Sequence, residues 1–173
     1  MSDNPSATES LAGFVADTSY GTLPPDVIVS TKQRILDTIG VALAGSDAPG
    51  CDGARKTILA EGATGTSSLW ASCERAGTRG SAFINSMHAA ALDYDSVYER
   101  GSVHPDIVTI PAAWAVAEQT GANGKTFLAA VALGNEVACR FGAANLHNKG
   151  WFYTSVHGVF GAAAAAGKLI GLD

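Results

Sequence analysis

The 173-residue chain is 47% hydrophobic but only 16% charged, against about 25% charged in an ordinary soluble domain. Little charge is available to cover an isolated sphere, so an extensive partner interface is expected. The net charge is −5 with no Lys/Arg run, which argues against nucleic acid as a partner.

The amino-terminal MSDNPSATES is polar and lacks the basic and apolar regions of a secretory signal. Residues 1–10 are expected to form a flexible terminus, and residues 11–173 one helical unit. Three cysteines, Cys51, Cys73 and Cys139, have no metal-binding spacing and suit a reducing cytoplasm better than a disulfide framework. The most apolar tail, Val156 to Leu172, is interrupted by His157 and Lys168. It falls short of the roughly 20 strongly apolar residues a membrane span needs, so a buried helix is expected there.

Ser6 and Glu9 have capping-box spacing ahead of Leu11, Phe14 and Val15, which predicts a first helix over 7–18. Pro24 and Pro25 can open a second, with Ile28, Ile35, Ile39 and Leu43 at helical spacing and Gly45 with SDAPG closing it. A third is expected over 52–61. The stretch 64–79, around SLWAS, carries the only strand signal. Helices follow over 81–92, 107–119, 125–144 and 154–172, separated by a loop over 93–105, the GANG break and a loop over 145–153. The class is all-α. Gly158, Gly161, Ala162 and Ala165 let another helix approach the last one closely. The chain stops directly after this apolar helix, and a further packing partner is expected for it.

Chemistry concentrates in 85–111. Asp93 and Asp95 flank Tyr94 where the apolar run ends, and His104 follows eleven residues after Asp93. A carboxylate and an imidazole brought together at helix ends can move protons. The bland alternatives are turn or capping chemistry for the DYD and solvation for His104, which Pro105 restricts to extended backbone. Arg100 can orient a carboxylate or form a solvated pair with Glu99. Tyr153, Thr154, Ser155 and His157 cluster at the start of the last helix, whose N–H groups can hold an anionic oxygen; Thr154 can instead be its N-cap. His88 reads as packing or capping, His147 sits in the preceding loop, and Glu136 and Arg140 have ion-pair spacing. No GxGxxG after a strand, Walker loop, HExxH, CxxC or GxSxG is present, so no nucleotide cofactor or structural zinc is supported.

Five blocks carry a further signal: LPPDVIVSTKQRILDTIGVALAG, AFINSMHAAALDYD, HPDIVTIPAAWAVAE, NGKTFLAAVALGNEVACRFG and SVHGVFGAAAAAGKLIGLD. In this order they resemble the amino-terminal helical part of the MmgE/PrpD family, which includes 2-methylcitrate dehydratase, cis-aconitate decarboxylase and iminodisuccinate epimerase. The likeness covers nearly the whole chain from about Leu11. It implies a large helical domain joined to a smaller α/β domain, usually a homodimer without an organic cofactor. The implied chemistry removes or replaces a proton beside a carboxylate of a small metabolite. The family's LDFDDT segment aligns with Leu92 to Val97, which makes Asp93 its active-site carboxylate, and its HP motif matches His104 and Pro105. Three polar family positions fall on Ala90, Val97 and Phe152, so His157 or Tyr153 is a candidate replacement.

The resulting expectation is one subunit, or the amino-terminal half, of a split lyase or isomerase completed by a second chain, with Asp93, His104, Tyr153 and His157 catalytic and Arg100, Thr154 and Ser155 binding substrate. The alternative is a non-catalytic scaffold or regulatory subunit that keeps the fold.

Overall fold

A computed structural model describes residues 5–62, 65–145 and 150–173; His147 lies outside these residues. Among them are seven α-helices: α1 (Ala7–Asp17), α2 (Pro25–Gly45), α3 (Cys51–Ala60), α4 (Thr78–Ala90), α5 (Asp106–Thr120), α6 (Gly124–Ala144) and α7 (Tyr153–Ile170). Short 3-10 turns lie at Tyr20–Thr22 and Glu99–Gly101. The strand signal resolves into an antiparallel pair of two-residue strands, β1 (Ser67–Ser68) and β2 (Arg75–Ala76), in register Ser67 to Ala76. The all-α class holds, because so short a ladder supplies no sheet face on which a domain can pack.

The capping box forms as the spacing predicts: the Glu9 amide donates to Ser6 Oγ at 3.2 Å and the Ser6 amide donates to the Glu9 carboxylate at 2.7 Å. Helix α1 therefore starts inside the segment 1–10. It has no buried residue of its own and is tied to α7 where Lys168 Nζ donates to the Ala16 carbonyl at 2.6 Å. Asn123 caps α6 by accepting from the Lys125 and Thr126 amides.

The main core lies between α5, α6 and α7, where Ile110 and Ala113 meet Ala130, Val131, Ala165 and Leu169. Helix α6 is long and apolar enough to cross a membrane by length and composition alone. Here it is a core helix, burying Val131, Leu133, Gly134, Val137 and Ala138. Helices α6 and α7 approach backbone to backbone: a Cβ at Gly161 would stand 2.6 Å from the Gly134 carbonyl, and one at Gly134 would stand 2.7 Å from the Gly161 carbonyl. Small residues are obligatory at that crossing.

Helix α2 packs through Thr31, Thr38, Ala42 and Gly45. Leu43, spaced with the apolar series of that helix, is 48% exposed. Close approach decides the buried face, since a Cβ at Gly45 would meet the His88 carbonyl at 2.2 Å.

Pro111 sits inside α5 and has no N–H for the Ile107 carbonyl one turn earlier. Ser86 of α4 donates its hydroxyl to that carbonyl instead. The vacancy made by the proline thus becomes a bond between helices. Asn85 and Ser81 latch the hairpin to α4 through the Ser68 carbonyl, and Asn85 Oδ1 accepts from the Trp70 amide at 3.0 Å. Trp70, Trp114 and Phe127 then pack edge to face, with ring centroids 5.6 Å apart at both contacts.

Candidate active site

The loop between α4 and α5 is fixed by its own bonds before any side chain chemistry is considered. Asp93 follows the end of α4 in the left-handed region, φ 56, a conformation Asp tolerates better than most side chains. Tyr98 and Val103 form an antiparallel bridge, the Tyr98 amide donating to the Val103 carbonyl at 2.8 Å. Gly101 rests on α6, where an added Cβ would stand 2.9 Å from Gly142 Cα. Val103 is buried with Ala138 and Tyr153.

This loop brings Asp95 onto His104, with Oδ2 2.8 Å from Nδ1 and side-chain exposures of 5% and 25%. Neither atom has another partner among the described residues. Burial pushes the Asp95 carboxyl above its ordinary range, and the charge of nearby Asp93 adds to this; its own backbone amide and His104 partly offset the rise. Behind the imidazole, the His104 amide donates to Thr154 Oγ1 at 3.1 Å, fastening the loop to the first turn of α7.

Tyr153, Thr154 and His157 are all buried there. The Tyr153 and His157 rings lie 5.2 Å apart, and His157 Nε2 is 3.3 Å from Asn145 Nδ2. With that amide donating, Nε2 accepts and the proton sits on Nδ1. His157 Nδ1 and the Tyr153 hydroxyl are secluded without a partner, and burial holds the His157 imidazole below its ordinary pKa.

The loop and α7 thus bring His104, Tyr153, Thr154 and His157 into one neighbourhood. Asp93 is exposed; the carboxylate facing His104 belongs to Asp95. Thr154 is not the N-cap, a position Phe152 occupies without a side-chain cap bond. Ser155 is exposed. Arg100 is exposed on its 3-10 turn and forms no ion pair among the described residues, with Glu99 or otherwise. Glu136 and Arg140 pair as their spacing predicts, at 2.7 Å. His88 lies elsewhere, buried where α4 meets α2.

Sequence reasoning gave no role to Asp106, Arg34, Asn135 and Ser96. Asp106 is 1% exposed and accepts from Arg34 at 3.0 Å, from Asn135 at 2.5 Å and from the Ser96 hydroxyl. A charged residue opening an otherwise apolar helix was the available signal. Its partners, up to 72 residues away, have no sequence signature. A cavity of about 460 Å³ lined by Ser30, Arg34, Val97, Tyr98, Pro105 and Asn135 adjoins this cluster, and neither Asp95 nor His104 lines it. Among the described residues no three His, Cys, Asp or Glu side chains converge to hold a metal.

A helical domain with an Asp–His pair on the loop ahead of an HP-initiated helix matches one family in sequence: the model of the MmgE/PrpD N-terminal domain covers residues 9–173, and the chain belongs to that family. Among its relatives, the cis-aconitate decarboxylase-like protein oryM of Aspergillus oryzae is 30% identical over 96% of this chain and 37% of its own length. The cis-aconitate decarboxylase of Aspergillus terreus is 26% identical over 95% of this chain and 36% of its own length. The human cis-aconitate decarboxylase is 30% identical over 97% and 37%. The chain therefore spans little more than a third of the curated relatives it matches.

Proposed function

We propose that this chain is the amino-terminal helical part of a cofactor-independent lyase or isomerase acting on a small carboxylated metabolite, with Asp95 and His104 as the proton-transfer pair. The single observation that carries the reading is the secluded 2.8 Å contact between them. A carboxyl held above its ordinary range, against an imidazole, keeps a proton available to a reacting carbon or its leaving group nearer neutral pH than a free carboxylate does. The names of the relatives point to decarboxylation of a tricarboxylate such as cis-aconitate; dehydration and epimerisation use the same carbanion-like path. Asp93 and Arg100, both exposed on the same loop, are assigned to meeting the substrate's carboxylate. The buried Tyr153 and His157 supply unpaired polar atoms beside the pair, Thr154 holds its backbone, and Ser155 reaches solvent from the helix start where anionic oxygens bind.

The remaining wall of the site comes from further parts of the family fold, on a second chain or in a homo-oligomer, and a cytoplasmic setting fits the three free thiols. Exposed Phe152 and Val97, at positions where the family carries polar groups, favour a second reading, a scaffold that supports a partner's activity. Turnover of cis-aconitate and related tricarboxylates by this chain assembled with the rest of the fold separates the two. Asp95→Asn and His104→Ala should each lower kcat by about 10²–10⁴-fold. Turnover undiminished in both variants leaves only the scaffold.

A further inference from the structure

Asp106 is one of the most secluded charged groups in the described chain, and the chemistry assigned to Asp95 and His104 does not use it. Its position in the first turn of α5 gives it a favourable interaction with the helix dipole. That role needs no burial, and a solvated carboxylate would fill it. Instead, four parts of the chain converge on it: its own helix, Arg34 from α2, Asn135 from α6 and Ser96 from the loop. A buried carboxylate is tolerated only when paired and hydrogen-bonded. Arg34 supplies the opposite charge and Asn135 an amide donor, so Asp106 is immobilised on the helical frame without any help from Ser96. The Ser96 hydroxyl is then the one donor to it that comes from the loop. Ser96 follows Asp95 directly in the chain, and Asp106 stands two residues beyond His104.

We propose that Asp106 is a positioning residue: clamped by Arg34 and Asn135, it accepts the Ser96 hydroxyl and thereby holds the loop so that Asp95 stays against His104. The two ends of the loop are drawn to one anchor, while the Tyr98–Val103 bridge closes its middle. The charged and titratable groups around the pair are Asp93 on the loop and Tyr153 and His157 on α7, while Arg34 on α2 and Glu136 and Cys139 on α6 surround Asp106 on the helical side. The proposal rests on the reading of Asp95 and His104 as the reacting pair, and its test uses a quantity other than turnover.

That quantity is the titration of the Asp95 carboxyl, followed by carbon-detected NMR in the full chain. Releasing the loop hydrates Asp95 and removes the main cause of its raised pKa. In Ser96→Ala the midpoint should fall toward that of a free carboxylate. Asp106→Ala should lower it likewise if that variant folds. Asn135→Ala removes a clamp and leaves the Ser96 bond, so it should move the midpoint much less. A midpoint unmoved in folded Ser96→Ala overturns the proposal, as does a shift in Asn135→Ala equal to that in Ser96→Ala, which would mean general loosening. If Asp106→Ala fails to fold, the comparison of Ser96→Ala with Asn135→Ala still decides. Loss of turnover on Asp95→Asn tests the site reading separately, and the titration result stands either way.

Discussion

At the scale of single residues, the site turns on which of two carboxylates faces an imidazole. The family resemblance implies Asp93 as the active-site carboxylate, while Asp95 makes the contact with His104. Asp93→Asn should therefore affect substrate entry, seen in KM, while Asp95→Asn should affect kcat. Burial raises the Asp95 pKa, so the ionised form costs stability above the ordinary carboxylate range and the isosteric amide removes that cost. The melting temperature of Asp95→Asn at neutral pH should equal or exceed the parent's, and a clear fall would contradict this account. His88 gives the opposite kind of pH dependence. Burial lowers its pKa from 6.5, with Arg55 adding to the effect and Asp47 opposing it. The unfolded chain takes up a proton below that value and the folded chain resists it, so stability is present above it and is lost as pH falls through it. Denaturant melts of the parent and His88→Leu between neutral pH and pH 5 should show a weaker acid loss in the variant.

At the scale of elements, two arrangements set the position of the site. The α6–α7 crossing depends on Gly134 and Gly161, and Gly161→Ala places a methyl against a carbonyl. A cost of about 1–3 kcal/mol is expected for such overpacking, read as a lower midpoint in urea with an unchanged slope. The second is the bond from Ser86 to the carbonyl that Pro111 leaves without a donor. Ser86→Ala should cost about 1–3 kcal/mol, the range for an unsatisfied buried polar group. In a Pro111→Ala background the cost should shrink, because the restored N–H takes over the Ile107 carbonyl. Equal costs in both backgrounds would show that Ser86 acts in some other way.

At the scale of the whole molecule, several large apolar side chains stay exposed. Trp151, Phe152, Phe160 and Leu172 are exposed on or beside α7, and Val29, Leu36 and Leu43 recur every seven residues on the outer side of α2. Their exposure supports the proposed interface with further parts of the family fold. The purified chain should sediment above the 17.6 kDa of one copy and bind a dye for exposed apolar surface. A monodisperse monomer that ignores the dye would contradict the low charge content as well as the exposed residues.

Local rules sufficed for much of this protein. Capping at Ser6 and Asn123, helical spacing, the Gly breaks and the Glu136–Arg140 pair all depend on neighbours within a turn or two, so they are legible in a linear string, and the ordered family blocks extend that to the fold. The site was legible only as a region. Tertiary structure set Asp95 rather than Asp93 against His104, a contact between residues nine apart that local spacing does not predict. It made the site of Pro111 a link between helices, set small residues rather than Leu43 on the buried face of α2, and gathered Arg34, Ser96 and Asn135 around the buried charge of Asp106. Each of these outcomes depends on contacts between residues distant in the chain, whose cost or gain appears only when the helices close on one another.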